Sequence, residues 1–367
     1  MRDDNALRVE PMDDAKFHFA DPVYDPKIVK DRRGGAYMLT RGSGNIYVEH
    51  VDKWAKFRYW NPDWNNIAHR RIAGAYVSDE EFPGYDVTCD PQMRSIYYPE
   101  DRWYHDAIVS YVQQNTSSGY DEVDVVRFFY RSTQTQFNRQ QRFALTPPLR
   151  ISNSAGLPSG HARNPVIAPD ADNGAQWSAP GGALCAWDHR IGVTNHSVLT
   201  NGATFEYSAV LDSCHVSEVL WKMLAVPDPL LVEAGVACNP QVSLCRIRQD
   251  ENMDETHNLG ALVWVNAEAQ GCMPLYGVYA QFVDYLNGRN SALKWPASRG
   301  ISPGSGSHHQ TSPIVKSDQD EREHAWVSWL DSRGGHAGVA ATIMYSEGGD
   351  MQLERQLLER TLSELER

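Results

Sequence analysis

The sequence predicts an α+β fold: a mixed, β-rich core with several helices and long loops. Apolar and polar side chains alternate through 204–211, which is the pattern of a half-buried strand. Apolar residues recur instead at helical spacing in 101–114, 216–224 and 274–286. Strands and helices do not alternate regularly, and no internal repeat is detected, so a mixed arrangement is favoured over βαβ units.

Further strands are predicted at 121–130, 237–249, 258–268, 325–330 and 338–345, with a Gly-bearing hairpin in 36–54. Two polar segments rich in Pro, Gly and Ser, 149–182 and 295–313, are predicted to be long surface loops. Within them, 153–179 and 299–312 are expected to be the first places that a protease cuts.

The predicted organisation has three parts. Residues 1–35 are acidic and interrupted by Pro11, Pro22 and Pro26, which is typical of an extended N-terminal arm. Residues 36–349 form a single α+β globular domain, and residues 350–367 form a C-terminal amphipathic helix.

The C-terminal helix is the most regular pattern in the chain. Asp350 is placed to cap it, and Gly348-Gly349 precede it as a flexible joint. Its apolar stripe consists of Leu353, Leu357, Leu358, Leu362 and Leu365. A helix of about 17 residues is marginal alone in water, so this stripe is predicted to be buried in self-association, with docking on its own subunit as the alternative.

Composition limits the partners. The 367 residues carry a formal net charge of −13, and basic residues are not clustered, which argues against a nucleic-acid-binding surface. No stretch is apolar enough for membrane insertion or for a signal peptide, so we expect an intracellular or virion location. The expected partners are copies of the same chain or other shell subunits.

A metal site is conceivable near the middle of the chain but is not favoured. The candidate ligands are Cys185, Asp188, His189, His196, Cys214 and His215. Their spacing lacks the tight knuckle of structural zinc sites, and Cys238 and Cys245 do not supply one either. We therefore predict buried thiols and no metal or other cofactor.

Catalytic signatures are likewise incomplete. Cys185 with His196 or His215 has the chemistry of a nucleophile and base, and the loop Gly304–His309 superficially resembles a serine elbow, but neither has the required context. Carboxylates suited to glycoside hydrolysis occur in two runs, Glu80, Glu81 and Asp86, and Asp318, Asp320, Glu321 and Glu323. The aromatic segment 57–66 is read as a cover for a core edge, with sugar or base stacking as the alternative.

Two functions follow from these patterns. The two arm-like ends favour a structural, self-assembling protein of the coat, capsid or outer-shell type. The alternative is a hydrolase, with carbohydrates as the substrate class considered, whose site is assembled from residues distant in sequence.

Overall fold

The computed structural model describes residues 24–30, 36–51, 70–74, 82–89, 104–132, 141–152, 159–169, 181–192, 195–212, 215–223, 229–235, 237–246, 257–270, 273–286, 289–302, 310–317, 324–332 and 338–346. These residues form five antiparallel sheets. Within these ranges no helix is found, and hence none that is long and apolar enough to cross a bilayer.

The chain divides into two compact units, Met1–Glu80 and Glu81–Arg367. Unit 1 holds one four-stranded sheet in sequential order: β1 (Tyr24–Lys30), β2 (Ala36–Gly42), β3 (Asn45–Val51) and β4 (Arg70–Gly74). Ser43 and Gly44, with φ of 50° and 72°, form the tight turn between β2 and β3. The predicted hairpin is therefore confirmed.

Unit 2 holds the other four sheets. The first contains β5 (Tyr85–Cys89), β6 (Tyr104–Gln114), β7 (Asp121–Ser132), β8 (Gln141–Leu145) and β9 (Leu149–Arg150). The second contains β10 (His161–Pro169), β11 (Gly181–Ile191), β12 (Asn195–Asp212), β13 (His215–Met223) and β14 (Leu230–Glu233). The third contains β15 (Ala237–Arg246), β16 (His257–Gln270), β17 (Met273–Leu286), β18 (Arg289–Leu293) and β19 (Arg299–Ser302). The last contains β20 (Gln310–Ser317), β21 (His324–Asp331) and β22 (Gly338–Tyr345).

The first three sheets of unit 2 repeat one plan. Each runs as a meander of four strands, and two short strands share the place beside the third strand. In this way β8 and β9 pair with β7, β13 and β14 with β12, and β18 and β19 with β17. The last sheet has three strands in the described residues, and they correspond to the first three strands of the other sheets. This repeat is the internal repetition that the sequence patterns did not reveal.

The sheets of unit 2 pack against one another through their first strands. β10 lies against both β5 and β15, and β15 lies against β20. Apolar side chains fill the spaces between consecutive sheets: Leu184, Leu262 and Trp264 belong to one such core, and Phe282, Trp295 and Val327 to the next. Successive blades of a β-propeller pack in the same manner.

β18 and β19 both pair with β17, and the side chain of Gln281 on β17 contacts the loop between them. The buried Gln281 donates from Nε2 to the carbonyl of Trp295 at 3.1 Å and accepts from its backbone N–H at 3.0 Å. Trp295 packs edge-on against Phe282 with 5.1 Å between ring centroids. The loop from β18 to β19 is thereby fixed to the core.

The α+β prediction is wrong, because the described part of the chain is all β. The segments with helical apolar spacing are strands: 101–114 contains β6, 216–224 contains most of β13, and 274–286 lies in β17. The predicted strands at 121–130, 204–211, 237–249, 258–268, 325–330 and 338–345 are confirmed in type.

The error has a physical cause. β6 is buried on both faces, since the consecutive residues Ala107, Ile108, Val109, Ser110, Tyr111 and Val112 are all inaccessible. A strand covered on both sides has no polar face, so its apolar residues lose period two and take on chance helical spacing. The same holds for β17 from Val278 to Val283, where only Tyr279 is half-exposed.

The two predicted long loops also contain strands. β10 lies inside 149–182 and buries Ala162, Ile167 and Ala168, so 153–179 is not the uniformly exposed segment that was expected. β19 and the start of β20 lie inside 295–313. Residues 153–158, 170–180 and 303–309 lie outside the described ranges.

Both chain ends fall largely outside the described residues. Of the predicted arm 1–35, the structure describes Tyr24–Lys30, which forms β1 and pairs with β2. The predicted helix 350–367, with its five leucines, and the whole aromatic segment 57–66 lie outside the described residues. What the sequence predicts for these two segments stays a prediction.

Replacing Phe282 by Ala should destabilise unit 2 by about 3–5 kcal/mol, since it removes a fully buried ring from the core around Trp295. Urea unfolding followed by far-ultraviolet circular dichroism measures this change. Leu231→Ala, at an exposed position, is the matched control and should change stability by less than about 0.5 kcal/mol. Equal effects from the two variants would contradict this placement of the core.

Candidate functional site

The first strand of the second sheet in unit 2 contains a bulge. Arg163 pairs with Asp188 and Val166 with Ala186, so two residues, Asn164 and Pro165, stand opposite the single residue Trp187. Asn164 has φ of 48°, in the left-handed region that few non-glycine residues adopt. Its backbone therefore departs from the ladder and turns its side chain out of the regular strand pattern.

The next two sheets repeat this bulge, with Asn in one and Ser in the other at the left-handed position. In β15, Asn239 (φ 52°) and Pro240 stand opposite Trp264. In β20, Ser312 (φ 51°) and Pro313 stand opposite Trp329. A left-handed polar residue, a proline and a facing tryptophan thus recur on three consecutive sheets.

The two earlier sheets have a similar left-handed residue near their first strand. In β1 of unit 1, Asp25 (φ 49°) and Pro26 stand opposite Thr40. In the first sheet of unit 2 the left-handed residue is Gly84 (φ 113°), directly before β5. Each of the five sheets therefore has a left-handed residue in its first strand or directly before it, and Asp25 is the ionisable one among these residues.

Contacts join three of these positions in unit 2. The backbone N–H of Asn164 donates to the carbonyl of Pro83 at 2.9 Å, and a Cβ on Gly84 would lie 3.5 Å from the Asn164 Cα. The Asn164 side chain donates from Nδ2 to Oδ1 of Asn239 at 3.3 Å. We call the four residues Gly84, Asn164, Asn239 and Ser312 the bulge row.

The bulge row presents polar side chains to solvent above a buried base. Asn239 and Ser312 are exposed and Asn164 is half-buried, whereas Pro165, Pro240 and Pro313 are buried. Left-handed backbone costs of order 1–3 kcal/mol for each non-glycine residue and persists where the surroundings enforce it. Such conformations concentrate at ligand-binding and active sites.

Polar contacts between the first strands hold the row in register. Oδ2 of Asp86 accepts the backbone N–H of Ile167 at 3.0 Å, which joins β5 to β10. Oγ of Ser243 accepts the backbone N–H of Ser317 at 2.9 Å, which joins β15 to β20. Asp86, one of the carboxylates considered for glycoside hydrolysis, thus accepts a hydrogen bond that joins two strands.

The three facing tryptophans are buried, and their indole N–H groups have no hydrogen-bond partner among the described residues. These groups are Nε1 of Trp187, Trp264 and Trp329. The indole N–H of a buried tryptophan usually donates to an acceptor, and these three N–H groups are exceptions to that rule. Each lies opposite a bulge, where the backbone has left the ladder.

A buried carboxylate lies next to the bulge in β10. Asp188 has no exposed surface, and its Oδ2 accepts from Nε of Arg190 at 2.8 Å. Nδ1 of His196 lies 3.4 Å from Oδ1 of Asp188. Burial raises the pKa of Asp188, although Arg190 and His196 offset part of this effect. Burial, reinforced by the charge of Asp188, also raises the pKa of the half-buried Cys238 thiol.

A second ionic group lies at the start of β10. Oδ2 of the buried Asp121 lies 3.0 Å from Nδ1 of His161 and 2.8 Å from Nη2 of Arg163. Tyr120 packs edge-on against His161. Because Arg163 directly precedes Asn164, this contact anchors the strand on the N-terminal side of the bulge.

The metal ligands considered from the sequence do not converge in the described residues. Cys185 is a fully buried free thiol, and burial raises its pKa well above the usual value, which disfavours the thiolate that a ligand or nucleophile needs. Cys185 and Asp188 are three residues apart on β11, an odd separation, so their side chains face opposite sides of the sheet. No group of three metal-binding side chains occurs in the described ranges. Cys214 lies outside them, and the His215 side chain is not described.

The other sequence candidates fall outside the described residues. These are the loop Gly304–His309 and the carboxylates Glu80, Glu81, Asp318, Asp320, Glu321 and Glu323. The bulge row was missed, although a signal was present: Asn-Pro, Asn-Pro and Ser-Pro recur at 164, 239 and 312, about 75 residues apart. That spacing marks the repeat.

Comparison with known proteins gives no family for this chain. No protein-family model matches it, and a search of the curated proteins returns no match.

Asp188→Asn should change how stability depends on pH. Because the native state binds the Asp188 proton more tightly than the unfolded chain, its contribution is full below the usual Asp pKa of about 3.9 and declines as pH rises through the raised native value. The wild type should therefore lose stability relative to the variant across that window. Urea unfolding at a series of pH values measures both, and parallel curves would contradict the assignment.

Proposed function

We propose that the bulge row binds a neutral, hydroxyl-rich ligand, and that the protein is carbohydrate-active. The observation that carries the proposal is the hydrogen bond between the side chains of Asn164 and Asn239 at 3.3 Å. It brings two strained, solvent-facing amides from different sheets to one place, 75 residues apart in sequence. A site assembled from distant residues is what the hydrolase alternative requires.

The chemistry of the row fits hydroxyl groups. A side-chain amide offers two N–H donors and a carbonyl acceptor, and a serine hydroxyl both donates and accepts. A sugar hydroxyl also donates and accepts, so adjacent amides can bind neighbouring hydroxyls in pairs. Asn164, Asn239 and Ser312 carry no charge, which favours a neutral ligand over a phosphate or a carboxylate.

The conformation of the row supports a binding role. Glycine would adopt φ near 50° at lower cost, yet the positions 164, 239 and 312 carry polar side chains. Asparagine adopts this region more readily than most residues, so at 164 and 239 it can hold the bend and also present an amide to solvent.

Glycine substitution separates these two roles. Asn164→Gly and Asn239→Gly keep the left-handed backbone and remove the amides, so stability should change by no more than about 1 kcal/mol. Asn164→Ala and Asn239→Ala should destabilise by about 1–2 kcal/mol, because alanine is strained at positive φ. Thermal unfolding of the four variants measures this difference.

Binding is tested on the same glycine variants. The wild type is screened on an array of neutral oligosaccharides, and the strongest binder is taken to titration calorimetry. Each glycine variant should weaken binding roughly 3–10-fold, which corresponds to one lost hydrogen bond of about 0.5–1.5 kcal/mol. Asn195→Gly, at an exposed asparagine of β12, is the control and should bind as the wild type does.

Two outcomes would overturn the proposal. One is that no oligosaccharide on the array binds the wild type. The other is that a ligand binds and both glycine variants retain its affinity, which would leave the bulges a purely structural role.

Turnover is a separate matter, because the row supplies amides and a hydroxyl, whereas glycoside hydrolysis needs two carboxyl groups at a set separation. The hydrolase reading stays a prediction. Incubating the bound oligosaccharide with the protein and analysing the products by mass spectrometry tests it, and shortened chains would support it.

The coat or shell role rests on the two chain ends, which lie mostly outside the described residues. It too stays a prediction from the sequence. We prefer the carbohydrate-active role because it is supported by contacts and conformations within the described residues.

A further inference from the structure

The last sheet of unit 2 has one apolar face turned to solvent. Its exposed large side chains are Ile314 (52%), Trp326 (50%), Leu330 (43%) and Val339 (78%). The opposite face, with Ala325, Val327 and Trp329, packs into the core shared with the third sheet. Since successive residues of a strand alternate between faces, Trp326 and Leu330 lie on the outer side.

The exposed residues form one continuous surface. Leu330 pairs directly with Val339, and Trp326 pairs with Ile343 on one side and Lys316 on the other. Ile314 lies on β20, opposite Ser328. We call Ile314, Trp326, Leu330 and Val339 the outer face. An apolar patch of this kind usually marks a surface that another segment or molecule covers.

We propose that the C-terminal segment 350–367 of the same chain covers the outer face, with its leucine stripe against the sheet. The segment begins five residues after Tyr345, where β22 ends in this same sheet. Its stripe, Leu353, Leu357, Leu358, Leu362 and Leu365, supplies the apolar surface that the outer face lacks. This proposal does not depend on the function of the bulge row.

The point at which the chain leaves the sheet favours this occupant. Nε1 of Trp295 donates to the carbonyl of Ser346 at 3.0 Å, and both residues are buried, so the exit point is fixed. From there to Asp350 the chain spans at most about 13 Å. That is enough to reach a layer packed on the sheet face at about 10 Å, and Gly348-Gly349 permit the reversal.

The dimensions agree as well. A helix of about 17 residues is roughly 26 Å long, and an eight-residue strand is roughly 26 Å long. The helix would run back along the outer face from the end near Trp326 to the end near Leu330 and Val339. Docking on this face would also stabilise a helix that is marginal alone.

Photocrosslinking from the outer face tests the proposal. Leu330 is replaced by benzoylphenylalanine in the full-length chain, and the products of irradiation are sized and mapped by mass spectrometry. We expect a product of monomer mass with crosslinks into 350–367. Leu231 is the matched control, because it is exposed to a similar extent (40%) on another sheet, and its photoreactive variant should give few such crosslinks.

A second variant tests the stripe itself. Leu357→Asp and Leu358→Asp together should reduce the crosslink yield from position 330 at least fivefold, while circular dichroism of the sheets stays unchanged. A product of dimer mass joining position 330 to the segment of another copy would overturn the proposal in favour of self-association. So would the absence of crosslinks to 350–367, or equal yields from positions 330 and 231.

Discussion

The contact between first strands is the interaction on which unit 2 depends. Each sheet alone has two large faces and exposed ladder edges, and packing first strand against first strand buries the faces between consecutive sheets. Polar contacts set the register of this packing, from Asp86 to Ile167 and from Ser243 to Ser317. The bulges lie on these same strands, so the packing that builds the core also collects Asn164 and Asn239 into one row. Fold and candidate site have a common origin.

The sequence predicted strands well where one face is polar or where a turn is explicit. The hairpin around Ser43-Gly44 is an example, because its glycine and flanking alternation are both local signals. The sequence patterns failed at β6 and β17, where both faces of the strand are buried and polar residues no longer alternate with apolar ones. Residues such as Ser110 and Gln281 are buried among apolar neighbours, and this depends on tertiary packing that local patterns do not contain. The α+β assignment rested on these two segments, on 216–224, which contains most of β13, and on the C-terminal pattern 350–367.

The candidate site was harder to predict because its members are ordinary residues in an unusual backbone. Asn164, Asn239 and Ser312 each precede a proline, and such pairs usually indicate a turn. The sequence directed attention to Cys185 and His196 instead, since thiols and imidazoles have obvious chemistry. In the structure Cys185 is buried in the core, and Nδ1 of His196 lies 3.4 Å from the buried carboxyl group of Asp188. The shared left-handed φ and the facing tryptophans show that the three bulges are one element, which in the sequence is marked only by the regular spacing of these pairs.

The central claim is that strands far apart in sequence bring the amides of Asn164 and Asn239 into contact. Nuclear magnetic resonance of the side-chain amide of Asn164, in protein deuterated and labelled with ¹⁵N at asparagine, tests this most directly. Asn239→Gly removes the acceptor Oδ1 without disturbing the left-handed backbone. The account predicts a clear shift of the Asn164 Nδ2 resonance and faster exchange of its protons with water. An Asn164 side-chain resonance that is unchanged in both respects would contradict it.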